Sequence, residues 1–146
     1  RSLAPVLEHV VAEMRAIHPD REFEGEFAIA HPVECDPERI ARLASNLLAN
    51  AVTHGAPGQP VVCRGRTTDD AFELSVTNGG PPIADAVREK LFQPFFRGGG
   101  SESQHGLGLG LFIVNEIAKA HGGVMEVLST EGETRFTLLM PREGQR

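Results

Sequence analysis

The spacing of apolar residues predicts three long amphipathic helices. Apolar side chains recur at helical intervals over residues 3–17, 40–51 and 107–118, so each segment has one face to bury. His18-Pro19-Asp20 ends the first segment, and Gly122-Gly123 ends the last.

The limits of the middle helix are marked on both sides. Asp36 can cap its first turn, and Pro37 follows at the first helical position, where a missing N–H is tolerated. Gly55 and Pro57 come just after the last apolar position and predict the end of the helix.

Short apolar or alternating segments between the helices predict strands. They are residues 23–29, 61–66, 72–76, 124–128 and 135–140. We also expect a short helix around residues 84–91 and a flexible glycine-rich loop at 98–103. The order α-β-α-β-β-loop-α-β-β lacks a strict βαβ alternation. It therefore predicts a single two-layer α/β sandwich, in which three main helices cover one face of a mixed sheet.

Composition narrows the function. The chain has 146 residues, a formal charge of −6 and a sequence pI near 5.5, and its cations are dispersed, which argues against a nucleic-acid partner. No apolar run is long enough to span a bilayer, and no signal peptide opens the chain, so we expect no membrane contact in this domain and a cytoplasmic location. Cys35 and Cys63 form no metal-binding pattern and are expected to be ordinary thiols.

Two asparagines stand four residues apart on the middle helix. Asn46 and Asn50 therefore lie on one helical face. Each could simply bond nearby backbone or solvent. An amide oxygen is also a suitable ligand for Mg²⁺, which keeps most of its waters beside phosphate.

A strand also runs into Asn78-Gly79-Gly80. These residues are typical of a turn, which explains their backbone but leaves the Asn78 side chain unassigned. An amide at a strand end, bordered by glycines, can accept a hydrogen bond from an adenine amino group.

The third candidate feature is an arginine followed by a glycine-rich segment at the predicted start of a helix. Arg97 follows a phenylalanine cluster at residues 92–96, which is typical of core, and its guanidinium suits a terminal phosphate. Gly106, Gly108 and Gly110 precede a helix whose N-terminus favours anions. The spacing fits neither the dinucleotide fingerprint nor the Walker A motif.

Together these motifs resemble the catalytic and ATP-binding domain of sensor histidine kinases, which has the Bergerat fold. The segment from Asn46 to Asn50 resembles the N box, Asn78-Gly79-Gly80 the G1 box, residues 92–97 the F box, and residues 106–111 the G2 box. Thr134 begins a segment similar to the last strand of that domain.

The resemblance implies a magnesium and ATP site with a lid at residues 97–106. Asn50 would bind Mg²⁺, Asn46 and Arg97 would be catalytic, and Asn78 with Thr134 would contact adenine. The implied nucleotide-binding residues are Asn46, Asn50, Thr53, His54, Asn78, Gly80, Pro82, Ile83, Phe95, Arg97, His105, Gly106, Leu107, Gly108, Leu109, Gly110, Leu111 and Thr134.

The chain departs from the family pattern at three places. Asn78 replaces the usual Asp, so we expect retained binding with some change in base selectivity. Thr53 and His54 stand where a cation and an aromatic residue are frequent, and one phosphate charge is therefore missing unless His54 or His105 replaces it. Glu133 stands where Gly is typical, and the sequence assigns it no role.

The resemblance also separates a kinase from an ATPase. Hydrolysing relatives carry a glutamate as general base at the position of Asn46, and an amide cannot take that proton. None of the six histidines has the sequence context of a phosphoacceptor, so we expect a His-bearing dimerisation hairpin upstream in a homodimeric protein. Both a cytoplasmic protein and the cytosolic part of a membrane-bound sensor stay open as its location. A response regulator would be the downstream partner. The alternatives are a silent nucleotide-binding module and an anti-sigma-type protein-serine kinase on the same fold.

Overall fold

The computed structural model describes residues 2–93 and 110–143. Its helices are α1 (Leu3–Ile17), α2 (Pro37–His54), α3 (Asp85–Arg88) and α4 (Gly110–Ala120). Its strands are β1 (Phe23–Ala28), β2 (Val61–Thr67), β3 (Ala71–Gly79), β4 (Val124–Ser129) and β5 (Glu133–Pro141).

The five strands form one mixed sheet in the order β1-β2-β3-β5-β4. The β1–β2 pair is parallel, and the other three pairs are antiparallel. Because β1 and β2 are parallel, the connection between them must cross the sheet, and α2 makes this crossing. The long helices α1, α2 and α4 pack against the strands, which confirms the predicted two-layer α/β sandwich.

Alternation along the central strands separates a buried face from an outer face. Phe72, Leu74 and Val76 of β3 lie opposite Met140, Leu138 and Phe136 of β5, and all six side chains are buried. Intervening residues of β2 and β3 lie on the outer face, where Arg66 binds Glu73 with an Nε–Oε1 distance of 2.7 Å. One apolar core therefore fills the space between the sheet and the helices.

The structure confirms the predicted cap at the start of α2 and gives a packing reason for Gly55 at its end. The Asp36 carboxylate accepts hydrogen bonds from the N–H groups of Glu38 and Arg39, at 3.1 and 3.3 Å, and so caps the helix as predicted. Gly55 ends α2 with φ −79°, which is not left-handed. A Cβ at Gly55 would lie 2.5 Å from the Ala51 carbonyl oxygen, so close packing requires the glycine.

Several element boundaries differ by one or more residues from the sequence-based prediction, and β5 starts two residues earlier than predicted. β3 continues through Asn78 to Gly79, because both residues pair with β5, whereas the prediction ended the strand at Val76. α3 has only four residues, and turns follow it to residue 93. The predicted lid at 97–106 and the predicted start of the last helix at Leu107 lie outside the described residues.

None of the helices that the structure describes combines the length and apolar character needed to cross a membrane. Cys63 is buried and Cys35 is half-buried, and both are free thiols. Burial raises the pKa of Cys63 to about 12, so its thiol stays protonated at neutral pH, in agreement with its expected role as a small core residue.

Candidate functional site

A row of polar side chains closes the buried face at one end of the sheet. Asn78 of β3 lies opposite Thr134 of β5, and Thr134 lies opposite Ser129 of β4. The neighbouring row, from Val76 across Phe136, is apolar. Asn78 and Thr134 are only 6% and 5% exposed, although their side chains are polar. Burial of polar groups at the end of an otherwise apolar face indicates a binding function or a hydrogen-bonded structural role.

The Asn78 amide is oriented by the Gly79 carbonyl at the end of β3, which also accepts from the loop after α2. Its Nδ2 donates to the Gly79 carbonyl oxygen at 2.9 Å, and the Ala56 N–H donates to that same oxygen at 2.9 Å. A carbonyl oxygen can only accept a hydrogen bond, so the NH₂ group of Asn78 must face Gly79. The amide oxygen Oδ1 therefore points away from Gly79. The Asn78 side chain also lies against Gly55, whose added Cβ would be 3.0 Å from the Asn78 Cβ. Asn78 is thus fixed next to the C-terminal end of α2.

One face of α2 carries the other predicted residues. Asn46, Asn50 and Thr53 are half-buried and follow one another at helical spacing, and His54 at the end of the helix is exposed. The Asn46 Nδ2 donates to the Gly110 carbonyl oxygen at 3.3 Å. This bond places the first described residue of α4 beside the middle of α2.

The far end of α4 is also held by α2. The backbone N–H of Asp36 donates to Nε2 of His121 at 3.1 Å, so Nδ1 of His121 carries the hydrogen and donates to the Ile117 carbonyl oxygen at 2.8 Å. With contacts at Gly110 and at His121, α4 runs antiparallel to the N-terminal half of α2. The first described residue of α4, Gly110, therefore lies beside Asn46, one turn from Asn50.

The segment after β3 completes the surroundings of Asn78. Gly80 has φ +137°, a conformation that favours glycine. Pro82 is exposed, and the half-buried Ile83 donates its N–H to Ser129 Oγ at 2.7 Å. Phe92 packs edge-on against Phe136 with ring centroids 6.3 Å apart, as expected for a residue that belongs to the core. Leu111 also packs against the core.

Charge is sparse on the described part of this site. Partial burial of its imidazole lowers the pKa of His54, which disfavours a positive charge beside Thr53 in the unliganded chain. Glu133 faces the outer side of the sheet, where its carboxylate binds Arg135 with an O–N distance of 2.8 Å. The departure at Glu133 therefore leaves the Asn78–Thr134 pair unchanged.

Seven predicted site residues lie outside the described residues: Phe95, Arg97, His105, Gly106, Leu107, Gly108 and Leu109. The structure brings the remaining ones to the C-terminal half of α2, the end of β3 with the segment after it, the start of β5 and the start of α4. Two residues were missed. Gly55 was interpreted only as a helix terminator, and Ser129 has no local signal, because its partners are distant in sequence.

The site and the fold define a class: a two-layer α/β sandwich whose mixed sheet ends in an amide-bearing polar row next to a helix N-terminus. Comparison with known proteins agrees with this. The family described as histidine kinase-, DNA gyrase B- and HSP90-like ATPase, HATPase_c, matches residues 35–144. The chain belongs to this family, and the resemblance to the catalytic and ATP-binding domain of sensor histidine kinases is confirmed.

Similar proteins include several sensor kinases. The sensor histidine kinase CusS of Escherichia coli O157:H7 is 36% identical over a match that covers 98% of this chain and 30% of CusS. The sensor histidine kinase TrcS of Mycobacterium tuberculosis is 42% identical over a match that covers 78% of this chain and 24% of TrcS. The bacteriophytochrome of Pseudomonas aeruginosa is 39% identical over a match that covers 73% of this chain and 15% of the bacteriophytochrome. The chain thus spans less than a third of these relatives.

Solved structures show the same fold. The mycobacterial sensor histidine kinase MprB superposes with a TM-score of 0.80 at 28% identity, over 97% of this chain and 96% of that one. A nucleotide-free catalytic domain of the histidine kinase ThkA gives 0.81 at 25% identity, over 99% and 97%.

Proposed function

We propose that this chain binds Mg-ATP and transfers the γ-phosphoryl group to a histidine on a separate dimerisation domain, within a two-component signalling system. The observation that carries the proposal is the buried Asn78–Thr134 pair, which ends the apolar core of a HATPase_c domain beside α2. A buried amide and hydroxyl at this place suit a flat heterocycle with both donors and acceptors on its edge.

Adenine would be held by Asn78 and Thr134. Since Nδ2 of Asn78 donates to Gly79, its Oδ1 is the group that would accept a hydrogen bond from the adenine amino group. This orientation supports retained adenine binding despite the replacement of the usual Asp. Gly80, Pro82 and Ile83 would line the same subsite from the segment after β3.

The phosphates would lie toward the start of α4. Backbone N–H groups and the helix dipole at the predicted N-terminus of this helix would favour an anion, and its first described residue, Gly110, lies beside Asn46. Asn50, one turn further along α2, supplies a neutral hard oxygen that fits Mg²⁺ next to phosphate. The bound ion would neutralise charge on the transferring group. Arg97, His105 and the glycines of residues 106–110 remain predicted phosphate ligands.

Transfer is favoured over hydrolysis because Asn46 cannot act as a general base. Its amide has no accessible conjugate acid at neutral pH, and Nδ2 already donates to Gly110. An external phosphoacceptor histidine and then a response regulator are the partners this proposal requires. The whole protein would place this domain in the cytoplasm.

Binding is tested by calorimetry with ADP and Mg²⁺. We expect binding by the unaltered chain, a loss of about tenfold in Asn78→Ala, and weaker Mg²⁺-dependent binding in Asn50→Ala. Ser75→Ala is the matched control, because Ser75 lies on the outer face of the same strand as Asn78. The proposal fails if the unaltered chain does not bind millimolar nucleotide, or if Ser75→Ala and Asn78→Ala weaken binding equally.

Transfer is tested with γ-labelled ATP. The chain alone should remain unlabelled and release little phosphate, whereas a separately prepared His-bearing dimerisation hairpin should become labelled when the chain is added. Efficient labelling of the lone chain would contradict the proposal.

A nucleotide-binding module without transfer is the second candidate. The uncharged Thr53 favours it, and the lowered pKa of His54 disfavours a compensating positive charge at the C-terminal end of α2. Tight ADP binding without label on the hairpin would support this second candidate. Label on a serine of another protein would instead indicate a protein-serine kinase.

A further inference from the structure

Ser129 connects three separate parts of the candidate base subsite. It ends the edge strand β4, where it pairs with Thr134 of β5. Its Oγ accepts a hydrogen bond from the Ile83 N–H at 2.7 Å and lies 3.5 Å from Thr134 Oγ1. A single hydroxyl therefore holds the segment after β3 and contacts a buried residue of the polar row.

The contacts of Ser129 limit which groups in this row can donate. The Ile83 N–H can only donate, so Ser129 Oγ accepts there. Among the described residues, the remaining hydrogen-bond partner of Ser129 Oγ is Thr134 Oγ1. Either hydroxyl can donate across this contact of 3.5 Å, which is long for two hydroxyls. A Ser129 hydrogen donated to Thr134 would leave the Thr134 hydrogen for a third group.

We infer that Ser129 is a positioning residue that sets the base specificity of this site. The inference rests on the proposed nucleotide binding. With Ser129 directing its hydrogen to Thr134, the Thr134 hydroxyl is a donor, while Asn78 presents Oδ1 as an acceptor. Adenine offers an amino donor next to a ring-nitrogen acceptor and matches this pair. Guanine offers a carbonyl acceptor next to a ring N–H and does not match it.

The experiment compares Ser129→Ala with Ser129→Thr, which keeps the hydroxyl. Calorimetry with Mg-ADP and Mg-GDP gives affinity and base preference, and amide hydrogen exchange by NMR reports on the Ile83 N–H. We expect Ser129→Ala to lose about fivefold in ADP affinity, to show a reduced ADP preference and to exchange the Ile83 amide faster. Ser129→Thr should retain all three properties. Thr137→Ala, a hydroxyl deletion on the outer face of β5, is the control and should also retain them.

The outcomes separate this inference from the proposed function. If the unaltered chain binds ADP, and Ser129→Ala keeps the same affinity and preference, Ser129 does not set specificity and the inference is overturned. Ser129→Thr behaving like Ser129→Ala would overturn it as well, since the hydroxyl would then not be the cause. If the unaltered chain binds neither nucleotide, the proposed function fails together with the base specificity. Faster Ile83 exchange in Ser129→Ala would still support the positioning role.

Discussion

At the scale of single residues, the site depends on positions where ordinary side chains would not fit. Gly55 leaves room for Asn78, and the Gly79 carbonyl orients the Asn78 amide. The Gly55 contact, together with the bond from the Ala56 N–H to the Gly79 carbonyl, joins the end of α2 to the end of β3. The local conformation of Gly55 is accessible to any residue, so only packing explains why glycine stands there.

Gly55→Ala should weaken both folding and nucleotide binding. Its Cβ would lie 2.5 Å from the Ala51 carbonyl oxygen and 3.0 Å from the Asn78 Cβ, so α2 or Asn78 must shift. We expect a loss of about 1–3 kcal/mol in the free energy of unfolding, measured with urea, and a weaker ADP affinity. Gly132→Ala is the control, because open space surrounds its Cβ position. Equal stability of the two variants would show that the contact at Gly55 is not limiting.

His54 should make stability depend on pH. Burial lowers its pKa in the folded chain below the ordinary value of 6.5, so the unfolded chain binds more protons when the pH falls below 6.5. The free energy of unfolding should therefore fall as the pH drops through 6.5 and level off below the folded pKa. Urea unfolding at pH 7.5 and 5.5 should show a smaller change in His54→Gln than in the unaltered chain. His9→Gln, on the exposed face of α1, is the comparison, and an identical pH response of the two variants would contradict the assignment to His54.

At the scale of elements, α2 positions the site because hydrogen bonds join it to both ends of the described part of α4. Asn46 binds the Gly110 carbonyl, and the N-cap residue Asp36 binds His121. Helix packing along the intervening apolar faces fixes the register between these two bonds. The first described turn of α4 is thereby held beside Asn46 of α2.

His121→Ala should loosen α4 from α2. The substitution removes an acceptor for the Asp36 N–H and a donor to the Ile117 carbonyl, and we expect a cost of about 1–2 kcal/mol in the free energy of unfolding. Urea unfolding measures the cost, and hydrogen exchange should be faster at the Asp36 amide. Lys119→Ala, an exposed change in the same turn region, should cost much less. A stability equal to that of Lys119→Ala would show that the His121 bonds contribute nothing.

At the scale of the whole molecule, the sheet separates the end with the candidate site from a structural end. The Asn78–Thr134 pair closes one end of β3 and β5, and the pairing of Ala71 with Pro141 closes the other. Arg142, next to Pro141, donates through Nε to the Asp69 carbonyl at 3.0 Å and through Nη1 to the Pro32 carbonyl at 3.1 Å. It thus joins the β2–β3 turn to the loop before α2.

Arg142→Lys should reduce stability without changing nucleotide affinity. Lysine keeps the charge but cannot reach two carbonyls in different directions, so we expect a cost of about 1 kcal/mol in the free energy of unfolding. The ADP dissociation constant should stay the same, because the change lies at the opposite end of the strands. A changed dissociation constant would show that the two ends are coupled.

Much of the architecture could be predicted from local patterns. Asp36 and Pro37 mark the start of α2, and the apolar period identifies its buried face, because capping and amphipathicity involve neighbours in sequence. The end of β3 could not be predicted in this way. Asn78 and Gly79 have turn chemistry, and only pairing with Thr134 and Glu133 extends the strand through them.

The sequence by itself determined the number and type of the elements, the buried faces and the family motifs that bear the asparagines, because these depend on short-range spacing. The tertiary structure alone decided that Asn78 packs against Gly55, why Gly55 is a glycine and what Ser129 holds. Those properties depend on contacts between residues from different strands and helices, and strand register and helix packing bring such residues within hydrogen-bond distance only after the chain has folded.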